Sequence, residues 1–301
     1  MCSLHNPNNL RGDVVIVMNG KQLSEKVLDE VLLDQQKVLS TYGRPAGLAV
    51  IMVGDNPASK VYVANKIKAC NFVGFYSITH QLVESTNETE LLSLINKLNN
   101  DDTIDGILVQ LPLPKHINEL KVINAISPSK DVDGFHPINI GKMLIDDKTG
   151  FLPCTPYGIL QILDEYKIDV KGKDVVIVGR SNIVGKPISI MLIQRSATVQ
   201  VCNSNTKNIN EKLQIADIII AATGVPNLIK YEDVKEGVII IDVGINRLDG
   251  KLCGDVDYDN VSKKASYITP VPGGVGPMTI ASLIKNTYKS YQLKKEGIYE
   301  R

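Results

Sequence analysis

The sequence predicts an α/β protein of two domains, each carrying a mainly parallel sheet, with a cleft between them. Three observations predict it. Short β-branched runs alternate with longer amphipathic stretches along most of the chain, the pattern of parallel strands covered on both faces by helices. The alternation occurs twice, on either side of a segment dense in turn formers. Finally, 301 residues that are 44% apolar are enough for two cores.

In the first series, GLAVIMVG (47–54) is a strand running into a turn, and SKVYVANKIKAC (59–70) is a helix. FVGFYSITHQL (72–82) holds a second strand, LLSLINKLNN (91–100) a second helix, and IDGILVQLPLP (104–114) a third strand broken by its prolines. The segment 124–158, with KDVDGFHP, NIGK, DDKTG and PCTPYG, reads as a domain joint lined by loops. Four further strands follow in KDVVIVG (173–179), ATVQV (197–201), ADIIIAATG (216–224) and EGVIIIDVG (236–244), and YITPVPGG (267–274) ends the set. IASLIKNTYKSYQLKK (280–295) is a long helix with Ile280, Leu283, Ile284, Thr287 and Tyr288 on one face. That face needs a partner surface on one domain or the other.

Composition narrows the function. Lys and Arg number 33 against 33 Asp and Glu, which argues against nucleic acid or an anionic membrane as the main partner while allowing a local anion site. Five cysteines, among them Cys70, Cys154 and Cys202, sit in or beside apolar runs without a CxxC pair, as buried thiols do in a reducing compartment. The opening MCSLHNPNNLRGD is polar, and no apolar run approaches a membrane span, so a cytoplasmic protein is expected. His5, His80, His116 and His136 form no ligand pattern and are read as surface or loop residues, so no metal is expected.

Two stretches carry chemistry. Tyr62 and Lys66 stand one helical turn apart beside the apolar stripe of Val63, Ile67 and Cys70. The simpler reading is a tyrosine packed on a lysine stem; the other is a paired functional site. VVIVGRSNIVGKPIS (175–189) has a strand, a glycine turn and a helix start. Gly179 and Gly185 are six apart, and Ser181 stands where a dinucleotide fingerprint would carry its middle glycine. Arg180 and Ser181 put donors in that turn, Gly185 permits close helix approach, and the helix N-terminus suits a phosphate. A plain strand–turn–helix is the alternative. ATG (222–224) and DVG (242–244) follow later strands, where an open sheet takes its cofactor. An NAD site normally carries an acid after its second strand, yet 202–207 reads CNSNTK, so NADP is favoured over NAD.

Six blocks, in order, resemble the bifunctional 5,10-methylenetetrahydrofolate dehydrogenase/methenyltetrahydrofolate cyclohydrolase family. They are VGDNPASKVYVANK (53–66), DGILVQLPLP (105–114), KDVDGFHPINIG (130–141), PCTPYG (153–158), VVIVGRSNIVGKP (175–187) and PVPGGVGPMT (270–279). The resemblance spans all but about the first dozen residues, and its last block is the most distinctive. It implies an N-terminal catalytic and folate-binding domain over 1–148, with 280–301 packing back onto it, and a Rossmann-like NADP-binding domain over 149–279. It also implies hydride transfer from methylenetetrahydrofolate to NADP, then hydrolysis of methenyltetrahydrofolate to 10-formyltetrahydrofolate, both reversible at one site. A homodimer, with the NADP-binding domain in its interface, and a place in purine, methionine and histidine biosynthesis come with it.

By the same resemblance, Lys66 is catalytic, Gln110 holds its amine, and Tyr62 stacks on the substrate. The chemistry is consistent: opening a methenyl cation needs water attack and proton movement, and burial beside a cationic substrate disfavours an ammonium. An amide at Gln110 suits the task better than a carboxylate, which would hold the ammonium. Asp133 matches the residue that grips the pterin, whose aminopyrimidinone edge a carboxylate can pair with. Asp131 and Asp55 are read as turn or cap residues. Pro272 and Gly273 are assigned to the folate side. Gly179, Arg180, Ser181, Gly185, Ser204, Thr223, Gly224, Ile245, Gly276 and Thr279 are assigned to the cofactor, Thr279 with helix capping as its alternative. Ser204 and Arg180 match contacts to a 2′-phosphate, although Asn203 stands where many relatives have histidine. Cys154 has no partner that would make it a nucleophile. Two alternatives remain: a monofunctional dehydrogenase with little hydrolase activity, and a folate- or nucleotide-binding regulatory protein.

Overall fold

The computed structural model describes residues 15–248 and 250–298. The polar N-terminal stretch with His5, and the last three residues, lie outside the described residues. The described residues begin with β1 (Ile16–Val17) and α1 (Gly20–Tyr42). Asn19 caps α1 by accepting from the Gln22 N–H at 3.0 Å, and Gly43 ends it in the left-handed region at φ 75°. Then come β2 (Gly47–Val53), α2 (Pro57–Phe72), β3 (Tyr76–Leu82), α3 (Glu88–Asn99) and β4 (Gly106–Val109). These three strands form a parallel sheet in the order β3-β2-β4. Every residue of β2 is buried, which explains its unbroken apolar run.

The joint is more ordered than its turn formers suggest. It contains the end of α4 (Glu119–Ala125), all of α5 (Pro137–Leu144) and the start of α6 (Cys154–Glu165). Pro137 opens α5, where its missing N–H costs nothing, and the ring of His136 accepts from the Ile138 N–H at 3.1 Å. His136 is therefore a buried cap and not a surface residue.

The second series is β5 (Asp174–Val178), α7 (Gly185–Gln194), β6 (Thr198–Cys202), α8 (Ile209–Ile215), β7 (Ile218–Ala221) and β8 (Ile239–Asp242). An antiparallel hairpin, β9 (Asn246–Leu248) with β10 (Lys251–Cys253), precedes α9 (Tyr258–Val261), β11 (Tyr267–Ile268) and α10 (Val275–Lys295). The six-stranded sheet is parallel throughout, in the order β1-β11-β8-β7-β5-β6. Two readings change here. Ile16 and Val17, inside the stretch assigned to the first domain, pair with β11 in the second sheet. The last helix starts at Val275, not 280, and takes in part of the proline- and glycine-rich block.

Helix α10 lies against α1, α2, α6 and the three-stranded sheet. Leu283, Ile284, Tyr288 and Tyr291 join Leu48, Val50 and Val63 in one core. Full burial of such side chains stabilises the fold by about 1.5–3 kcal/mol each. Polar anchors set its register: Tyr291 Oη donates to the Arg44 carbonyl at 2.8 Å, and Asn286 Nδ2 to the carbonyls of Val132 and Leu152 at 2.8 and 2.9 Å. The Arg44 guanidinium in turn makes two 2.7 Å bonds to the buried Asp105 carboxylate.

Candidate active site

Helix α2 places the central lysine. Asn56, rather than Asp55, caps it by accepting from the N–H groups of Ala58 and Ser59 at 2.9 and 3.1 Å; Asp55 pairs with Lys60. Val63, Ala69 and Cys70 face the core, and Lys66 is buried beside them at 7% exposure, whereas Lys68 is exposed. Tyr62 is half-buried one turn earlier, and burial pushes its hydroxyl above the ordinary tyrosine value. Gln110 follows β4, where its N–H donates to the Ile51 carbonyl at 2.8 Å. Its Nε2 donates to the Leu111 carbonyl at 2.7 Å, which turns Oε1 to accept from Lys66 Nζ at 3.0 Å. The lysine amine is thus held by an oriented neutral acceptor.

Asp133 comes from the loop before α5. Asp131 builds that loop: its carboxylate accepts from the N–H groups of Phe135 and His136 at 3.3 and 2.8 Å and from Asn139 Nδ2 at 2.9 Å. Burial, the largest influence, pushes Asp131 up to about 7 against those hydrogen bonds. Gly134, at φ 79°, presses against 152–153, where a Cβ would come within 2.6 Å of the Leu152 carbonyl carbon. Burial also raises the Asp133 carboxyl, while the charge of Lys66 and the Cys154 thiol pull it down. Cys154 is buried in the core at 1% exposure, and burial and the adjacent Asp133 push its thiol well above the ordinary thiol range, so it is unreactive.

Tyr62, Lys66, Gln110 and Asp133 line one side of a cavity of about 310 Å³. Ile183, Val184, Val243 and Ile245 form the opposite side, and Val275, Gly276, Thr279 and Ile280 of α10 close it. Thr279 Oγ1 lies 3.0 Å from Thr155 Oγ1, one turn inside the helix, so it is a wall residue and not a cap. Leu111, Phe135, Ile183, Val184 and Val243 also line the cavity and were not singled out in the sequence, because apolar residues next to strands carry no individual signal.

The proposed cofactor residues divide into two groups. Ile245, Gly276 and Thr279 reach the cavity. Gly179, Arg180, Ser181, Gly185, Ser204, Thr223 and Gly224 do not line it; they sit around the C-terminal ends of β5, β6 and β7. Gly179 adopts φ 128°, and a Cβ there would meet the Ala222 carbonyl oxygen at 2.2 Å; one on Gly185 would meet the Gly179 oxygen at 2.2 Å. Both glycines are sterically required for the turn to pack against its neighbouring backbone. Ser181 Oγ accepts from the N–H groups of Val184 and Gly185 at 3.2 and 3.4 Å, so it shapes the helix start. Gly179 N–H donates to the Cys202 carbonyl at 2.8 Å, which puts exposed Arg180 and exposed Ser204 on adjacent strand ends. Thr223 and Gly224 donate to the Asp255 carboxylate. Pro272 is exposed and outside the cavity wall, and Gly273 accepts from the Lys21 N–H at 2.9 Å; their loop is fastened to the start of α1.

Residues 18–133 match the model for the tetrahydrofolate dehydrogenase/cyclohydrolase catalytic domain, and 153–295 match that for the NAD(P)-binding domain of the same family. The chain is 53% identical over 281 residues to the bifunctional protein FolD of Aquifex aeolicus, covering 93% of this chain and 97% of that one. Its identity to the FolD protein of Nautilia profundicola is 56% over 275 residues, 91% and 96% of the two chains. The crystal structure of the Campylobacter jejuni bifunctional enzyme FolD superposes with a TM-score of 0.91 at 53% identity, covering 93% and 99% of the chains. The Trypanosoma brucei methylenetetrahydrofolate dehydrogenase-cyclohydrolase, solved with NADP cofactor and an inhibitor, also gives 0.91, at 33% identity over 94% and 99%. On this breadth of agreement, the chain belongs to the tetrahydrofolate dehydrogenase/cyclohydrolase family.

Proposed function

We propose that the chain oxidises 5,10-methylenetetrahydrofolate to 5,10-methenyltetrahydrofolate with NADP and hydrolyses the product to 10-formyltetrahydrofolate in one cleft. The observation that carries this reading is the buried Lys66 amine, 3.0 Å from Gln110 Oε1, in a cavity whose far side is built by the second domain. A monofunctional dehydrogenase would not need that pair.

The residues fit the cofactor. Gly179 and Gly185 let the turn pack tightly on its neighbouring backbone, the helix start follows directly, and 203–207 offers no carboxylate to oppose a 2′-phosphate. When bound, NADP supplies the hydride acceptor. The chain's own residues do the rest. Tyr62 gives the substrate a flat amphipathic surface, and Asp133 accepts from its aminopyrimidinone edge. In the hydrolytic step, water oxygen bonds to C1 of the methenyl group, the C1–N5 bond opens and one proton is released. Lys66 Nζ moves protons at the attacking water and the departing nitrogen, and Gln110 holds it in place. In the hydride-transfer step, apolar Ile183, Val184, Val243 and Ile245 keep water from the cofactor side of the cavity.

Support for a homodimer comes from the open edge of the six-stranded sheet at β6, where Val201 is 39% exposed, near a 53% exposed Ile193 at the end of α7. Among the described residues no helix is long and apolar enough to cross a membrane. We read the protein as cytoplasmic, its domains divided as 1–148 with 280–301 and 149–279, except that β1 belongs to the second sheet. Its formyl product would serve purine, methionine and histidine biosynthesis. The deciding experiment runs two assays on purified protein: NADP reduction with methylenetetrahydrofolate, and decay of methenyltetrahydrofolate absorbance. Both activities are expected; reduction without hydrolysis would leave only the dehydrogenase.

A further inference from the structure

The turns that follow β7 and β8 are joined by a buried carboxylate that neither reaction uses directly. Asp255 is fully buried. Its Oδ2 accepts from Thr223 N–H at 2.6 Å, Thr223 Oγ1 at 2.9 Å and Gly224 N–H at 3.0 Å, all in the turn after β7. Its Oδ1 accepts from Asn246 Nδ2 at 2.8 Å, beyond the turn after β8. The carboxylate arrives from a third segment, returning from the β9–β10 hairpin. A second buried acid fixes that return: Asp242 accepts from the N–H groups of Asp255, Val256 and Gly244 at 3.0, 3.0 and 2.9 Å. Glycine is required on both sides. A Cβ on Gly244 would meet Asp255 Oδ1 at 2.2 Å, and one on Gly254 would meet Asp242 Oδ2 at 1.9 Å.

This network does not build the sheet. Strands β7 and β8 already pair through their backbones as far as Ala221 and Asp242, and Val243 N–H still reaches the Ala221 carbonyl at 2.8 Å. What the Asp255 carboxylate fixes lies beyond the last strand residues: the Thr223–Gly224 turn, and the segment carrying Val243 and Ile245 into the cleft. That end of an open parallel sheet is where a dinucleotide lies.

We propose that Asp255 is a positioning residue for hydride transfer, latching the two turns so that the cofactor-side wall, Val243 and Ile245, is ordered before NADP binds. The proposal rests on the cofactor reading above. Without the latch, binding must order both turns, and cofactor affinity falls with little change on the lysine side. The two activities separate these effects, because hydrolysis consumes no hydride acceptor.

In Asp255→Ala, the Kd for NADP should rise and kcat/KM for NADP reduction should fall, each by at least about tenfold, while methenyltetrahydrofolate hydrolysis changes less than about threefold. Asp255→Asn should recover most of the loss: its oxygen can serve Thr223 and Gly224, and its amide can meet a turned-over Asn246. Should Asp255→Ala fail to fold, Asn246→Ala severs only the second turn and should raise the NADP Kd by about fivefold with hydrolysis retained. Equal loss of both activities with a lowered melting temperature would assign Asp255 to stability alone, and wild-type NADP binding in the folded variants would overturn the latch. Neither outcome touches the functional reading, which fails if the wild-type protein lacks either NADP reduction with methylenetetrahydrofolate or hydrolysis of methenyltetrahydrofolate.

Discussion

On the first-domain side of the cleft, Lys66 is 7% exposed, its amine is 3.0 Å from Gln110, and the Gln110 amide is itself fixed by the Leu111 carbonyl. On the second-domain side, Arg180 and Ser204 stand exposed on neighbouring strand ends, beside a turn whose glycines pack against neighbouring backbone. The difference follows from the tasks. Moving a proton at a reacting atom needs a group already in place, since small misplacements are costly in rate. Recognising a phosphate needs charge within reach, and a solvated guanidinium can order as the anion arrives. One side should therefore be intolerant of change, and the other adjustable.

The harshest test is Lys66→Ala. Hydrolysis of methenyltetrahydrofolate should fall by ~10²–10⁴-fold while NADP affinity stays nearly unchanged. Wild-type-like hydrolysis in the folded variant would mean that the ordered Lys66–Gln110 corner is only structural. Next is Gly179→Ala, which probes a rigid feature of the second-domain side. A Cβ 2.2 Å from the Ala222 oxygen, at φ 128°, must move backbone, at a cost of about 3 kcal/mol in stability or NADP binding. Denaturant unfolding together with NADP titration measures both; an unaffected variant would show the turn to be looser than its contacts imply.

Asp133→Asn should weaken folate binding by about 2 kcal/mol and leave NADP binding largely intact, because one acceptor oxygen becomes a donor at a paired contact. Titration with each ligand decides it. Equal weakening would point to damage of the loop that Asp131 organises, and unchanged folate affinity would remove Asp133 from the substrate's contacts.

The sequence showed some of these features plainly and others not at all, for physical reasons. The strands of both sheets were legible because burial on both faces demands unbroken β-branched runs such as GLAVIMV and DVVIV. Tyr62, Lys66, Gln110 and Asp133 are brought to one cavity from three segments, as their motifs indicated. Helix α5 was hidden because Pro137 and Gly141 read as turn formers, although proline is at home in a first turn. Pro277 disguised the start of α10 in the same way. Strand β1 is two residues long and exists only through its pairing with β11, some 250 residues away. The bonds of Asp255 to Thr223 and Asn246 were equally invisible, since both depend on where two turns meet in space. Pro272 lies outside the wall of this cavity, on a loop that Gly273 ties to the start of α1.

The smallest expected effect falls on the adjustable side. Arg180 and Ser204 share the ends of β5 and β6, and no carboxylate occurs in 203–207 to accept the ribose hydroxyls of NAD. Asn203 is committed within its own turn, its Oδ1 accepting from the Asn205 N–H at 3.0 Å, so it adds no charge. Among these residues Arg180 is then the main candidate for pairing with a 2′-phosphate, and a charge-assisted contact is worth ~1.5–3 kcal/mol. NADP should exceed NAD by at least about tenfold in kcat/KM, and Arg180→Ala should lose most of that margin while changing NAD use little. Lysine at the same position should recover part of it, since an ammonium keeps the charge but not the planar fork. Steady-state kinetics with both cofactors on the three proteins measures the ratio directly. A ratio that survives Arg180→Ala would move phosphate recognition elsewhere, with Ser204 and the exposed Lys207 next in line on the same turn. Equal efficiency with NAD in the wild type would instead mean that the missing carboxylate is not what selects the cofactor here.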